Sequence, residues 1–455
     1  MLSAAQARAS AQAQPGAGRL GDWLFVAALL FLAFLAGAFA ILAKVFPYGY
    51  LHDAYRAGAA LVDQMTKYDS PVQTNLWAPA RRPEAGVTVF DRLRAQPGYT
   101  LYTSGHAQKA FLVSMTGRAL HEWRLPYSRI WDENAAVRNP RPDDFIFWFD
   151  VRLMANGDLL ASYDGVGDTP WGYGLVKMDK DSRVIWKYLA RVHHTFDIAP
   201  DGRVFALTHE VRSEAVEGYL AFDEPPRIDD FIVVLSPEGR ELQKVSIVDA
   251  FLRSPYARLL HTAVPNALGD PLHTNAVKFI DHSKAYVLPF AQEGQVMISL
   301  REIATIAVLD LETQTIVWAL RGPWMGQHDP DILPNGNILL FDNYGHYGAG
   351  GVSRVVEFDP NNLETVWTYT GDADNPLESS LRAEQQRLPN GNTLITESEG
   401  GRILEVAPDG DVVWEFINPV RGGESRELIP VVSAAERIDP RALDHRFLGV
   451  LRTAQ

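Results

Sequence analysis

One short pattern recurs along the chain and limits its architecture more than any other feature. ILPNGNILLFD at 332–342, RLPNGNTLITE at 387–397 and IAPDGRVFALT at 198–208 are near copies, and RLMANGDLLAS at 152–162 is a weaker one. Each reads as a strand, an Asn-Gly or Asp-Gly turn and a second strand, because glycines such as Gly336 and Gly391 supply the positive φ that a tight hairpin needs. A second hairpin follows each of these and often closes on tryptophan, at Trp123, Trp186, Trp318, Trp367 and Trp414. LSPEGRELQKV at 235–245 has the turn without the tryptophan, which brings the number of units to six.

Units of about 45 residues, each with four short strands, predict propeller blades arranged radially around a channel. The expected fold is therefore all-β, a six-bladed β-propeller over residues 87–455, with the tryptophans packed between neighbouring blades. At 455 residues and 47% hydrophobic composition, the chain can bury a core of that size. A formal net charge of −14 with no basic run excludes a general nucleic-acid binder. The absence of cysteine excludes disulfides, thiolate catalysis and Cys-ligated metals.

The N-terminus is of a different kind. Trp23 to Ala43 is uncharged over 21 residues, long enough for one transmembrane helix. Ala38-Phe39-Ala40 resembles a signal-peptidase site, but the apolar run exceeds a usual signal core and continues past Lys44 at Val45 and Phe46. This favours an uncleaved anchor at 23–46 behind a cytoplasmic tail at 1–22. Residues 47–86 read as an amphipathic helix, GYLHDAYRAGAALVDQMTKY, followed by a Pro-rich linker at 70–86.

Aligning the units by their turns brings out the histidines. Six residues before Pro334 stands His328, and six before Pro200 stands His194. In the fourth unit the turn has drifted, yet HTNAVKFID places His273 at the corresponding strand start. First strands line a propeller's channel, so three successive blades present an imidazole at one register. Buried together, three imidazoles need a polar partner. That partner is a metal ion, a polar channel lining, or an anionic group attacked by one imidazole. No HExxH or carboxylate-rich partner motif accompanies them, and no metal ligand is assigned. Asn275, two residues after His273, and Arg301, on the next strand of the same blade, suit the oxygens of a sulfate or phosphate. Asp331 is a candidate to orient an imidazole, and Trp148, Phe149 and Tyr344 to stack on an aromatic substrate.

QHDPDILPNGNILLFDNY, HHTFDIAPDG, HTNAV and SLREIATIAVLD, all within roughly residues 145–417, resemble the bacterial arylsulfotransferase family. The resemblance implies a cofactor-free enzyme of the cell envelope that moves a sulfuryl group from an aryl sulfate donor to a phenolic acceptor. It further implies that His328 carries the group as a transient sulfohistidine in a ping-pong reaction. His194, His273, Asn275 and Arg301 would surround the sulfonate, and His193 would point off the inner face. Better-known members carry an N-terminal β-sandwich and a cysteine pair, which this sequence lacks. The absence of a GxxxxGK[ST] loop agrees with a nucleotide-free donor. The implied location is the inner membrane, single-pass, with the propeller in the periplasm. A tethered, non-enzymatic propeller that binds a small anion or a protein is the alternative.

Overall fold

The computed structural model describes residues 17–51, 54, 55, 58, 70–223, 225–266, 269–345 and 352–453. The chain divides into two compact units, residues 1–69 and 70–455. The first contains the helix Ala17–Leu42, whose segment Gly21–Leu42 is long and apolar enough to cross a membrane or to act as a signal sequence. The amphipathic helix expected at 49–68 lies largely outside the described residues.

The second unit is the six-bladed propeller. Blades two to six open with the inner strands Ile146–Leu153, Val192–Ile198, Thr274–Phe279, His328–Ile332 and Glu384–Arg387. Blade one takes its inner strand from the other end of the chain: Ala435–Ile438 pairs antiparallel with Tyr99–Ser104, Ala435 opposite Tyr102. The N-terminal strand Gly86–Phe90 in turn adds to the outside of blade six, Phe90 opposite Trp414. Both chain ends thus close the ring across one blade boundary, which satisfies strand edges that would otherwise be bare.

The compact unit begins before residue 87. Trp77–Pro79 pairs with Leu428–Pro430, and Arg81 and Arg82 bond the buried carboxylates of Glu397 and Glu415 at 2.5 and 2.6 Å. The Pro-rich composition of 70–86 reads as a linker, but its partners lie some three hundred residues away in the chain. In blade four the turn motif is missing because the helix His282–Val287 replaces it, capped by Asp281, whose side chain accepts from the Lys284 N–H at 3.0 Å.

The blades are tied by one repeated hydrogen bond. On the outermost strands one register position donates to the same carbonyl of the next blade's outer turn. Trp186 Nε1 bonds Pro237 O at 2.9 Å, Trp367 Nε1 bonds Pro408 O at 3.1 Å, and Trp414 Nε1 bonds Met115 O at 2.9 Å. Blade three, which has no tryptophan, uses Gln243 Nε2 to Leu311 O at 2.6 Å, and blade one uses His121 Nε2 to Lys180 O at 2.7 Å. Trp186, Trp367 and Trp414 are therefore packing groups that also carry a directional bond, and Gln243 and His121 keep the bond in blades where another residue holds that position.

Candidate active site

His328 is the first residue of blade five's inner strand and is 2% exposed. Its Nδ1 lies 2.9 Å from Gly326 O and 2.8 Å from Asn343 Oδ1, both acceptors, so Nδ1 carries the proton. The Asn343 amide is itself oriented, because its Nδ2 donates to Ser379 O at 2.7 Å and Arg382 O at 3.3 Å. His328 Nε2 is consequently an unprotonated lone pair, buried and without a partner. Burial, followed by the nearby Arg301 charge, lowers the imidazole pKa to about 3, so the ring is neutral at ordinary pH.

A folded pKa below the ordinary value of about 6.5 means that the unfolded chain binds the proton first. This group's share of stability is complete above about pH 6.5 and is lost as pH falls towards 3. Heteronuclear NMR of histidine-labelled protein at about pH 5 is expected to find His328 Nε2 still unprotonated in the folded state. A protonated Nε2 there would remove the basis for a neutral nucleophile.

His194 and His273 both have left-handed backbone, at φ 53° and 48°. Such conformations are costly for residues other than glycine and here aim the side chains out of the ladder. The two rings meet edge to face at 5.0 Å between centroids. His194 also meets Phe149 at 4.9 Å, and its own pKa is lowered by burial and by His193, His273 and His328, which places all of these rings within electrostatic reach. His273 Nδ1 lies 2.6 Å from Asp270 Oδ2, and Asp270 Oδ1 accepts the His273 backbone N–H at 3.1 Å. Arg301 sits just past the second strand of blade four, tied to His273 by N–H to O at 3.2 Å, with Glu302 on its guanidinium. Asn275 gives one N–H to Gln327 O at 2.8 Å, which holds the backbone beside His328 and leaves its second N–H for another acceptor.

Four sequence readings change. The count from the turn pairs His194 with His328, but the ladder pairs His193 with His328: they stand opposite Leu207 and Phe341 at matching steps, because blade three's bulge holds one more residue. His193 does not point away; its Nδ1 is 2.7 Å from His194 Nδ1. Asp331 does not orient an imidazole, since it pairs with Lys278 at 2.8 Å while Asn343 does the orienting. Of the proposed stacking aromatics, Trp148 is fully buried against Tyr163, whereas the half-buried Trp171 touches the rings of His194, His209 and His273.

Sequence reasoning missed Asn343, Asp270 and Trp171. Asn343 stands inside the quoted FDNY run and Asp270 three residues before His273. Neither position repeats between blades, so the repeat alignment is silent on them. One further group has ligating atoms: His193, His209 and Asp230, all buried, with one donor atom of each within 4.8 Å of the others.

A lone-pair imidazole, a carboxylate-backed imidazole and an arginine at the mouth of a propeller's inner strands define the class: a histidine-centred propeller with an anion-ready site. The chain belongs to the arylsulfotransferase (ASST) family, whose model matches residues 150–419. That membership supports arylsulfotransferase activity in general terms. No curated protein matches the chain. Among solved structures, a Bacteroides caccae protein of unknown function aligns at TM-score 0.47 and 14% identity, over 75% of this chain and 98% of its own. A catalytically inactive variant of virginiamycin B lyase from Staphylococcus aureus, with quinupristin, aligns at TM-score 0.35 and 9% identity over 62% of this chain and 73% of its own. Similarity at this level carries no functional information.

Proposed function

We propose that the propeller transfers a sulfuryl group from an aryl sulfate ester to a phenol through a covalent intermediate on His328. The observation that carries this reading is the partnerless Nε2 of His328, held as a lone pair by the Nδ1–H bonds to Asn343 and Gly326. In the first half-reaction Nε2 attacks sulfur, the N–S bond forms and the S–O(aryl) bond breaks. Positive charge developing on the ring strengthens the Nδ1–H bonds to the two oxygens. Arg301 and the second N–H of Asn275 hold the sulfonate oxygens as charge spreads over them, as in phosphoryl transfer. His273, backed by Asp270, acts as general acid towards the leaving phenolate and takes a proton back from the acceptor phenol in the second half-reaction. Protons and charge therefore balance over the cycle, with no cofactor needed.

The full-length chain in detergent, given 4-nitrophenyl sulfate, is expected to release nitrophenolate in a phenol-dependent way, with parallel double-reciprocal lines as both substrates vary. Intersecting lines would exclude the covalent intermediate, and no release across a panel of phenols would leave a binding propeller.

The same proposal places the chain in the inner membrane as a single-pass protein, with Gly21–Leu42 as anchor and the propeller in the periplasm. The apolar helix supports the tether, and access to free aryl sulfates supports the side. Protease added to spheroplasts should then degrade the propeller, and its full protection would put it on the other face.

A further inference from the structure

Beside the proposed catalytic histidines, three consecutive strands of blade three bring together a second set of donors. His193 comes from Val192–Ile198, His209 from Val204–Arg212 and Asp230 from Arg227–Leu235, with His209 and Asp230 directly opposite in the ladder. Their exposures are 0, 3 and 1%. Asp230 Oδ1 lies 3.0 Å from His209 Nδ1 and 3.6 Å from His193 Nε2. The two rings stack at 3.4 Å between centroids.

Two features are poorly explained by packing alone. His193 Nε2, the ring atom that faces Asp230, is buried without a hydrogen-bond partner among the described residues, and an orphaned buried polar atom costs about 1–3 kcal/mol. Among the described residues Asp230, moreover, has no Lys or Arg partner. Its neighbour Asp229 is neutralised by Arg227 at 2.7 Å, whereas among the described residues the only basic side chains within ion-pair distance of Asp230 are the two histidines. Apart from these it receives the Thr274 N–H at 2.7 Å. A cation bound by all three would place a charge beside this buried carboxylate and give the orphaned His193 nitrogen a partner. Two imidazoles and one carboxylate at these spacings are a borderline-soft, transition-metal donor set.

We propose that His193, His209 and Asp230 bind a divalent transition-metal ion, zinc by their donor chemistry, at a site separate from the reacting histidines. A consequence follows for the neighbouring residue, and this part rests on the proposed function. A histidine that ligates through one ring nitrogen carries its proton on the other. His193 ligating through Nε2 would donate from Nδ1 to His194 Nδ1, 2.7 Å away. His194 would then keep its own proton on Nε2 as a fixed donor. His193 is in that sense a positioning residue, and the metal fixes the tautomer next door.

The test uses the untagged full-length chain in detergent, loaded with zinc, desalted and analysed for metal. One zinc per chain is expected, with retention reduced at least about tenfold in Asp230→Asn and His209→Gln and unchanged in His328→Ala. A parent protein that retains no zinc, or ligand variants that retain it fully, would overturn the site. Should the variants not fold, the parent alone still decides. Cobalt loading should give the visible absorption of a low-coordinate nitrogen and oxygen site, and zinc should raise the unfolding temperature; absence of both would overturn the site equally. Sulfuryl transfer without zinc binding would remove this inference alone, and zinc binding without transfer would remove the proposed function alone.

Discussion

Replacing His328 by alanine is expected to slow phenol-dependent nitrophenolate release by at least about 10⁴-fold, the scale on which removal of a covalent nucleophile acts. Among the described residues of the cluster, this ring alone has its lone pair fixed by two acceptors at its other nitrogen. Asn343→Leu provides the graded companion. It leaves the imidazole in place with Gly326 as sole acceptor and is expected to lower kcat by about 10²-fold with little change in KM for the donor. Asn343→Asp keeps the acceptor for Nδ1–H but sets its second oxygen against the carbonyls of Ser379 and Arg382, so its rate should fall between those of the parent and Asn343→Leu. Steady-state kinetics on the three variants, with trapping of the sulfurylated protein by mass spectrometry, separates nucleophile from scaffold. A His328→Ala protein that still turns over within about tenfold of the parent would sink the mechanism.

Glu405→Leu is expected to destabilise the propeller by about 3–5 kcal/mol, the cost of stranding a buried charge. The residue left behind is Arg437, whose guanidinium bonds Glu405 at 3.0 Å with side-chain exposures of 1 and 0%. Burial lowers the Arg437 pKa, and among the described residues the guanidinium's other hydrogen-bond acceptors are neutral, Gln96 O and Thr100 Oγ1. The pair joins the C-terminal inner strand of blade one to the third strand of blade six, and the guanidinium also lies 4.7 Å over the Trp414 ring. Loss of the carboxylate therefore loosens the place where the ring is closed. Denaturant unfolding should show a lower midpoint for Glu405→Leu and partial recovery in Glu405→Leu/Arg437→Leu, where no charge is stranded. An unchanged midpoint in the single variant would mean that the closure is held elsewhere.

Much of the blade architecture was legible because each hairpin is written in consecutive residues. PNGN turns, alternating apolar runs and terminal tryptophans are local instructions, and the six observed blades follow from them. The histidines were legible for a related reason: a repeat lets His194, His273 and His328 be compared as if aligned, although only one blade contributes each. The arylsulfotransferase resemblance read from those segments agrees with the family match over residues 150–419.

What the repeat does not encode is the irregular part of each inner strand. The extra residue in blade three's bulge shifts His193 into the place His328 holds in blade five, and counting from the turn cannot detect it. Asn343 and Asp270 orient their histidines from positions without counterparts in other blades. Ring closure was equally hidden, since Ala435–Ile438 meets Tyr99–Ser104 only after the chain has travelled the whole circle.

The sequence by itself determined the hairpins, the number of blades, the apolar N-terminal helix and the histidine inventory, since all of these depend on residues adjacent in the chain or repeated at a fixed period. Only the tertiary structure decided which imidazole nitrogen is left as a lone pair and which carboxylate faces which ring. Those outcomes depend on bulge lengths and on contacts between distant segments, where a shift of one residue turns a side chain to the other face of the sheet.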